Sequence, residues 1–113
     1  YDLENDRKEE SSEEIKKRVN KARKIQHERY KKVGIYCNAH LSGPMLREFC
    51  KLDKDSKKLL RASFDKLNLS ARAHDRILKV ARTIADLEES EIIHSRYISE
   101  AIQYRTLDRT IRG

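Results

Sequence analysis

The sequence predicts an all-α fold, a small bundle of four to five helices. Three observations carry this. Apolar residues recur at i, i+3, i+4 and i+7 in several stretches, the spacing of one helical face. The 113 residues include only three Gly and one Pro and no Trp. So few chain breakers do not suit the many tight turns of an all-β domain. Charged residues make up 40% and hydrophobic residues 37%, a mixture that fits one modest core under charged outer faces.

The elements follow in order. Residues 1–10 are charged, with Leu3 the one aliphatic residue, and read as a flexible arm. Ser11 and Glu14 form an S-x-x-E capping box that opens a helix from about Ser12 to Lys32. Ile15, Val19, Ala22 and Ile25 or Gln26 fall on one stripe of it. Gly34 is a natural stop. Tyr30 and Tyr36 flank this helix end and are expected to close the core there. After a connector, Ser42 is placed to cap a short helix with Pro44 in its first turn. Met45, Leu46, Phe49 and Cys50 supply its buried face.

Asp53 caps a third helix, which turns Leu59, Leu60, Ser63, Phe64 and Leu67 inward. Asn68 and Leu69 make a tight joint. Ser70 caps the fourth helix, whose stripe of His74, Ile77, Leu78, Ala81, Ile84 and Ala85 is the clearest in the chain. The small residues Ala81 and Ala85 allow close approach by a neighbouring helix. A loop at Glu88 to Ile93 leads to a fifth helix, about Ser95 to Tyr104, with Ile98, Ala101 and Ile102 inward. The organisation expected is an arm over 1–10, one helical unit over 11–109 and a tail over 110–113.

The formal net charge is +7. That favours acidic partners such as nucleic acid, nucleotide phosphates or an acidic protein face, or else makes a solvated surface. The sequence holds no Gly-rich phosphate loop, no HExxH, no paired Cys-x-x-Cys and no GxSxG. The chain on its own is therefore expected not to be an enzyme. Nothing resembles a signal peptide or a membrane span, so a cytoplasmic, reduced protein with no membrane partner is expected. Cys50 lies on an apolar stripe and reads as packing, and no structural disulfide with Cys37 is expected. His27, His40 and His94 are scattered without metal-ligand spacing, so no metal site is expected.

The polar side of the fourth helix carries the chemistry. Arg72, Arg76 and Lys79 lie at i, i+4 and i+7 and form a basic row. Asp75 is placed to pair with Lys79, and Arg82 with Asp86, each at i, i+4. Arg72 and Arg76 keep no obvious local acid. Arg72 also sits in the first helical turn, where the free amides already favour anions. A cation there points either to an anion outside the helix or to water and a distant acid. The first helix is the most basic element, with Lys16, Lys17, Arg18, Lys21, Arg23, Lys24 and Arg29. It reads either as a DNA-phosphate or subunit contact or as a soluble face.

The stretch Leu69-Ser70-Ala71-Arg72-Ala73-His74-Asp75-Arg76-Ile77-Leu78-Lys79-Val80-Ala81-Arg82-Thr83-Ile84-Ala85-Asp86-Leu87 resembles a signature of magnesium-chelatase-like AAA+ ATPases of the ComM/YifB type, near the end of those proteins. Ala101-Ile102-Gln103-Tyr104-Arg105-Thr106-Leu107-Asp108-Arg109 is similar to their closing motif. Asn38-Ala39-His40-Leu41-Ser42, Leu46-Arg47-Glu48-Phe49-Cys50 and Ser11 to Val19 resemble earlier parts of the same domain. One departure is His74, where Tyr is expected; on its stripe His74 reads as a packed core-edge side chain.

The resemblance implies an AAA+ lid that folds over a nucleotide held by a preceding α/β core. The core would carry the Walker motifs and bind ATP with magnesium, so this chain would hold no cofactor of its own. Arg72, in the Ser-Ala-Arg triplet, would be the sensor-2-type arginine directed at the ATP phosphates, with Arg76 as fallback. The implied partners are the AAA+ core of the same chain and neighbouring subunits of a hexamer, in a motor that remodels DNA during transformation. The alternative is a free-standing basic helical module that binds DNA or protein.

Overall fold

The computed structural model describes the backbone from Ser11 to Arg112 and side chains through Arg105; the expected arm at 1–10 lies outside the described residues. Five α-helices form: α1 (Ser12–Tyr30), α2 (Gly43–Phe49), α3 (Lys54–Lys66), α4 (Ala71–Leu87) and α5 (Ser95–Arg112), with a 3-10 turn at Asn38–His40 between α1 and α2. The expected all-α bundle is what the chain adopts. Helix α5 is longer than the Ser95 to Tyr104 stretch that periodicity marked. Helix α4 is the hub and packs against α1, α2, α5 and the 3-10 turn, while α3 packs on α5.

The caps explain where the helices begin. Ser11, Asp53 and Ser70 each accept a hydrogen bond from the backbone N–H three residues on, at Glu14, Ser56 and Ala73. These bonds satisfy amides that no helical carbonyl can reach. Ser42 precedes α2 without a side-chain cap, and Pro44 starts that helix instead.

The helix ends are equally specific. Asn68 (φ 51°) and Glu89 (φ 57°) take the left-handed conformation just past α3 and α4. Leu69 N–H then donates to Phe64 O at 3.1 Å, and Ser90 N–H to Ala85 O at 2.8 Å. This closes the last helical carbonyls in Schellman fashion. The turn at Asn68 also decides which leucine is buried. It carries Leu69 into the core and leaves Leu67 47% exposed, against the expectation that Leu67 faces inward.

The core consists of Tyr30, Leu41, Leu46, Cys50, Leu60, Leu69, the α4 face from Ala73 to Ala85, and Ile93, Tyr97, Ile98 and Ala101. Ala81 and Ala85 are fully buried, as the close approach of neighbouring helices requires. His74 is half-buried and meets the Phe64 ring edge-on at 5.7 Å, so it is the core-edge side chain expected. Helix α1 docks only through its second half, at Ala22, Gln26 and Tyr30. From Ser12 to Lys21 only Val19 is even half-buried, and Ile15 is exposed. Tyr36 also departs from expectation. Past Gly34 (φ 79°) the chain turns Ile35 toward the core, and Tyr36 points outward, edge-on to His40.

Two loops close the far end. Ile93 N–H donates to Lys51 O at 2.8 Å, and Ser56 Oγ donates to Ile93 O at 2.6 Å. His94 Nδ1 lies 2.8 Å from Asp53 Oδ2. The Asp53 carboxyl is held down to about 2, against an ordinary 3.8, first by the His94 bond and then by Ser56. A depressed folded-state value means that its stabilisation is complete above the ordinary value and lost as pH falls through the folded one. Asparagine also caps helices well, so Asp53→Asn isolates the charge. The variant is expected to melt below the parent near neutral pH. The difference should shrink between about pH 4 and pH 2. Thermal melts across that range check this; a difference independent of pH would contradict it.

Candidate functional site

Helix α4 carries two chemically different sets of charged residues, one exposed and one buried. The exposed set is the basic row. Arg72 and Arg76 are both exposed and both line one recess of about 200 Å³, together with Ser70, Tyr104 and Arg105. Neither Arg72 nor Arg76 has a hydrogen bond or ion pair among the described residues. Ser70 fixes the start of α4 through its bond to Ala73 N–H at 3.1 Å, which places Arg72 in the first turn. Lys79, farther along the row, donates to Ala39 O at 3.3 Å and so ties α4 to the 3-10 turn. Asp75 lies 3.5 Å from His74. The expected pairing of Asp75 with Lys79 is replaced by these contacts.

The buried set is a polar cluster. Arg82 is 1% exposed and Asp86 1% exposed. The expected Arg82–Asp86 pair forms, with Nε to Oδ1 at 3.2 Å, but it lies in the core rather than on a solvated face. Arg82 also donates to Phe49 O at 3.3 Å, to Glu91 O at 2.8 Å and to Ser90 O. One guanidinium thus holds the end of α2 and the loop after α4. Its planar fork suits several fixed carbonyls at once.

Asp86 in turn receives α1 and the 3-10 turn. Arg29 approaches it in bidentate fashion, at 2.7 and 3.0 Å. Asn38 Nδ2 donates to Asp86 Oδ2 at 2.9 Å and to Thr83 Oγ1 at 3.0 Å. Asn38 Oδ1 accepts from the Tyr30 hydroxyl, and its backbone N–H donates to Gln26 Oε1 at 3.2 Å. Among the described residues no buried side-chain nitrogen or oxygen lacks a partner. A fully satisfied network is the condition under which buried charge is tolerated.

The electrostatics follow from this geometry. Burial works against the charge on Arg29, yet its bonds to Asp86 raise its pKa above the ordinary value. Burial pushes the Tyr30 phenol up. Burial likewise pushes the Cys50 thiol up to about 11, so it stays protonated at neutral pH and is inert packing. Cys37 and Cys50 are both free.

Arg72 and Arg76 are legible in the sequence, whereas the residues that share their recess, Tyr104 and Arg105, are not. By local spacing alone Arg82 is a surface partner of Asp86. The signal for its burial was present: Arg82 falls four residues after Leu78 and three before Ala85, on the apolar stripe itself. The partners from α1 and the 3-10 turn are far away in sequence and left no local trace.

The hub helix of this all-α domain is thus held by a buried charge cluster and bears an exposed arginine pair near its start. The chain belongs to the family described as Magnesium chelatase, subunit ChlI C-terminal, which matches residues 9–105. It is 44% identical over 102 residues to the uncharacterized protein YifB of Escherichia coli (strain K12), covering 90% of this chain and 19% of that protein. It is 39% identical over 103 residues to competence protein ComM of Haemophilus influenzae, covering 91% of this chain and 19% of that protein. A match of 37% identity over 78 residues, 69% of this chain and 16% of the relative, is found in Mycobacterium tuberculosis (strain ATCC 25618 / H37Rv). The chain thus spans about a fifth of the length of the first two relatives. Among the described residues no helix is long and apolar enough to cross a membrane.

The cluster makes a quantitative prediction. Asp86→Asn leaves the buried Arg82 and the half-buried Arg29 without their carboxylate, and removing one partner of a buried pair costs about 3 to 5 kcal/mol. Lys21 and Glu89 form a surface pair at 3.6 Å with both side chains more than half exposed. Losing it through Lys21→Ala costs no more than about 0.5 kcal/mol. Urea denaturation is expected to separate the two variants by several kcal/mol. Equal midpoints would show that the cluster does not carry the fold.

Proposed function

We propose that this chain is the helical lid of an AAA+ ATPase. In this role Arg72 presents its guanidinium to the β and γ phosphates of ATP held on a separate α/β core. The observation that carries the proposal is the free, exposed Arg72–Arg76 pair at the capped start of α4. The family resemblance, which implies a sensor-2 arginine at Arg72, supports this reading. Among the described residues the recess offers cations and no carboxylate. It therefore suits phosphate oxygens and leaves magnesium to residues of the core. A guanidinium stays charged and offers a planar donor fork, so Arg72 neutralises charge on the phosphates. The inner cluster gives α4 a rigid seat, which lets contact at Arg72 turn the whole lid.

The parent motor would be a hexamer in the cytosol, with the lid touching its own core and a neighbouring subunit. One relative is named as a competence protein, which supports DNA remodelling as the work of the motor. In the full-length protein Arg72→Ala is expected to lower ATP turnover at least about tenfold while leaving the helical signal unchanged. Undiminished turnover in that variant would remove Arg72 from the nucleotide site.

A second reading, a basic module that binds DNA directly, is favoured by one observation. The half of α1 that does not dock on the bundle exposes Lys16, Lys17, Arg18 and Lys21, with Arg23 and Lys24 following. Phosphate binding of this kind weakens steeply with salt. The chain would then bind duplex DNA at low salt and release it as salt rises. A titration without binding at low salt would exclude this reading.

A further inference from the structure

Tyr104 is 61% exposed and stands between two recesses in the groove of α4 and α5. One, of about 200 Å³, holds Arg72, Arg76 and Arg105; the other, of about 380 Å³, holds Arg76 and Lys79. Arg76, Val80 and Tyr104 line both recesses. Among the described residues no carboxylate lines either one. The groove therefore joins four cations, an apolar floor and one uncovered aromatic ring.

The other exposed tyrosine, Tyr36, differs. Its recess with Arg23 and Lys24 also contains Glu28, which pairs with Lys31 at 2.8 Å. Tyr30 and Tyr97 are buried in the core. Tyr104 alone among these four combines an open ring with a purely cationic described surround.

An isolated exposed tyrosine needs no explanation. A ring set beside guanidiniums, with no carboxylate in the described lining, suits a ligand with a flat aromatic part and an anionic part. Arg72 and Arg76 are one turn apart, about 6 Å along the helix axis, so the groove can meet phosphate on one side of the ring. Stacking of a base on an aromatic side chain is tolerant of base identity and energetically substantial.

We infer that Tyr104 is the platform on which the base of the bound nucleotide stacks, with Arg76 beside it and Arg72 on the phosphates. The inference rests on the nucleotide reading of Arg72 and adds a residue that binds the base rather than the phosphates. The groove would take a nucleoside triphosphate better than inorganic triphosphate. The phenyl ring, and not the hydroxyl, would do the work.

The test is calorimetric binding to the full-length protein, with ATP and inorganic tripolyphosphate as separate probes. Tyr104→Ala is expected to weaken ATP about tenfold and leave tripolyphosphate unchanged. Tyr104→Phe should bind both like the parent. Arg72→Ala should weaken both probes. Parent-like ATP binding by Tyr104→Ala would overturn the inference, as would an equal loss of both probes. A loss confined to a single-stranded oligonucleotide, with ATP unaffected, would also overturn it and assign the groove to nucleic acid. If Arg72→Ala weakened neither probe while Tyr104→Ala weakened ATP alone, the phosphate assignment would fail and the base platform would stand.

Discussion

The carboxylate of Asp86 is the constraint on which the rest of the bundle depends. It accepts hydrogen bonds from Arg29, Arg82 and Asn38, which belong to α1, α4 and the 3-10 turn. Through Arg82 it also reaches the end of α2 and the loop that leads to α5. One buried and one half-buried guanidinium facing a single carboxylate would be unstable alone. Three backbone carbonyls and the Asn38 amide supply the remaining acceptors and donors, so every group is satisfied. The arrangement is demanding, because losing any member strands a charge away from water.

That demand has a functional side. In the proposed lid role, strain from a bound phosphate would pass to the rest of a motor through α4. That helix is fastened by Arg82 and Asp86 and closely packed at Ala81 and Ala85. Near its start it is left bare at Arg72 and Arg76. The free cations and the buried charge cluster lie toward opposite ends of one helix, joined by its own backbone hydrogen bonds. The undocked half of α1 extends the same theme, since a basic segment with an exposed Ile15 is suited to contact beyond the bundle.

Much of the fold was legible because local rules and packing agree. The caps at Ser11, Asp53 and Ser70 and the stripe of α4 appear in the structure where periodicity and capping chemistry put them. The failures have one cause. Ile15, Leu67 and Tyr36 are apolar or aromatic at helical spacing or at a helix end, but their burial depends on what the rest of the chain brings opposite them. For Leu67 the left-handed turn at Asn68 diverts the inward direction to Leu69. Arg82 failed in the opposite sense: an i, i+4 ion pair looks like solvated surface until Arg29 and Asn38 arrive from distant segments. In the candidate site Arg72 and Arg76 were legible as cations without local acids. Tyr104 was not, because only the packing of α5 on α4 brings it beside them.

The central claim is that α4 meets nucleotide phosphate with its first turn while its far end stays fixed in the buried cluster. Hydrogen exchange of the full-length protein, with and without ATP, addresses it most directly. Slower exchange is expected on ATP binding at the amides around Ala71 to Arg76, with unchanged, already slow exchange from Ala81 to Asp86. Identical exchange around Arg72 in both states would contradict it.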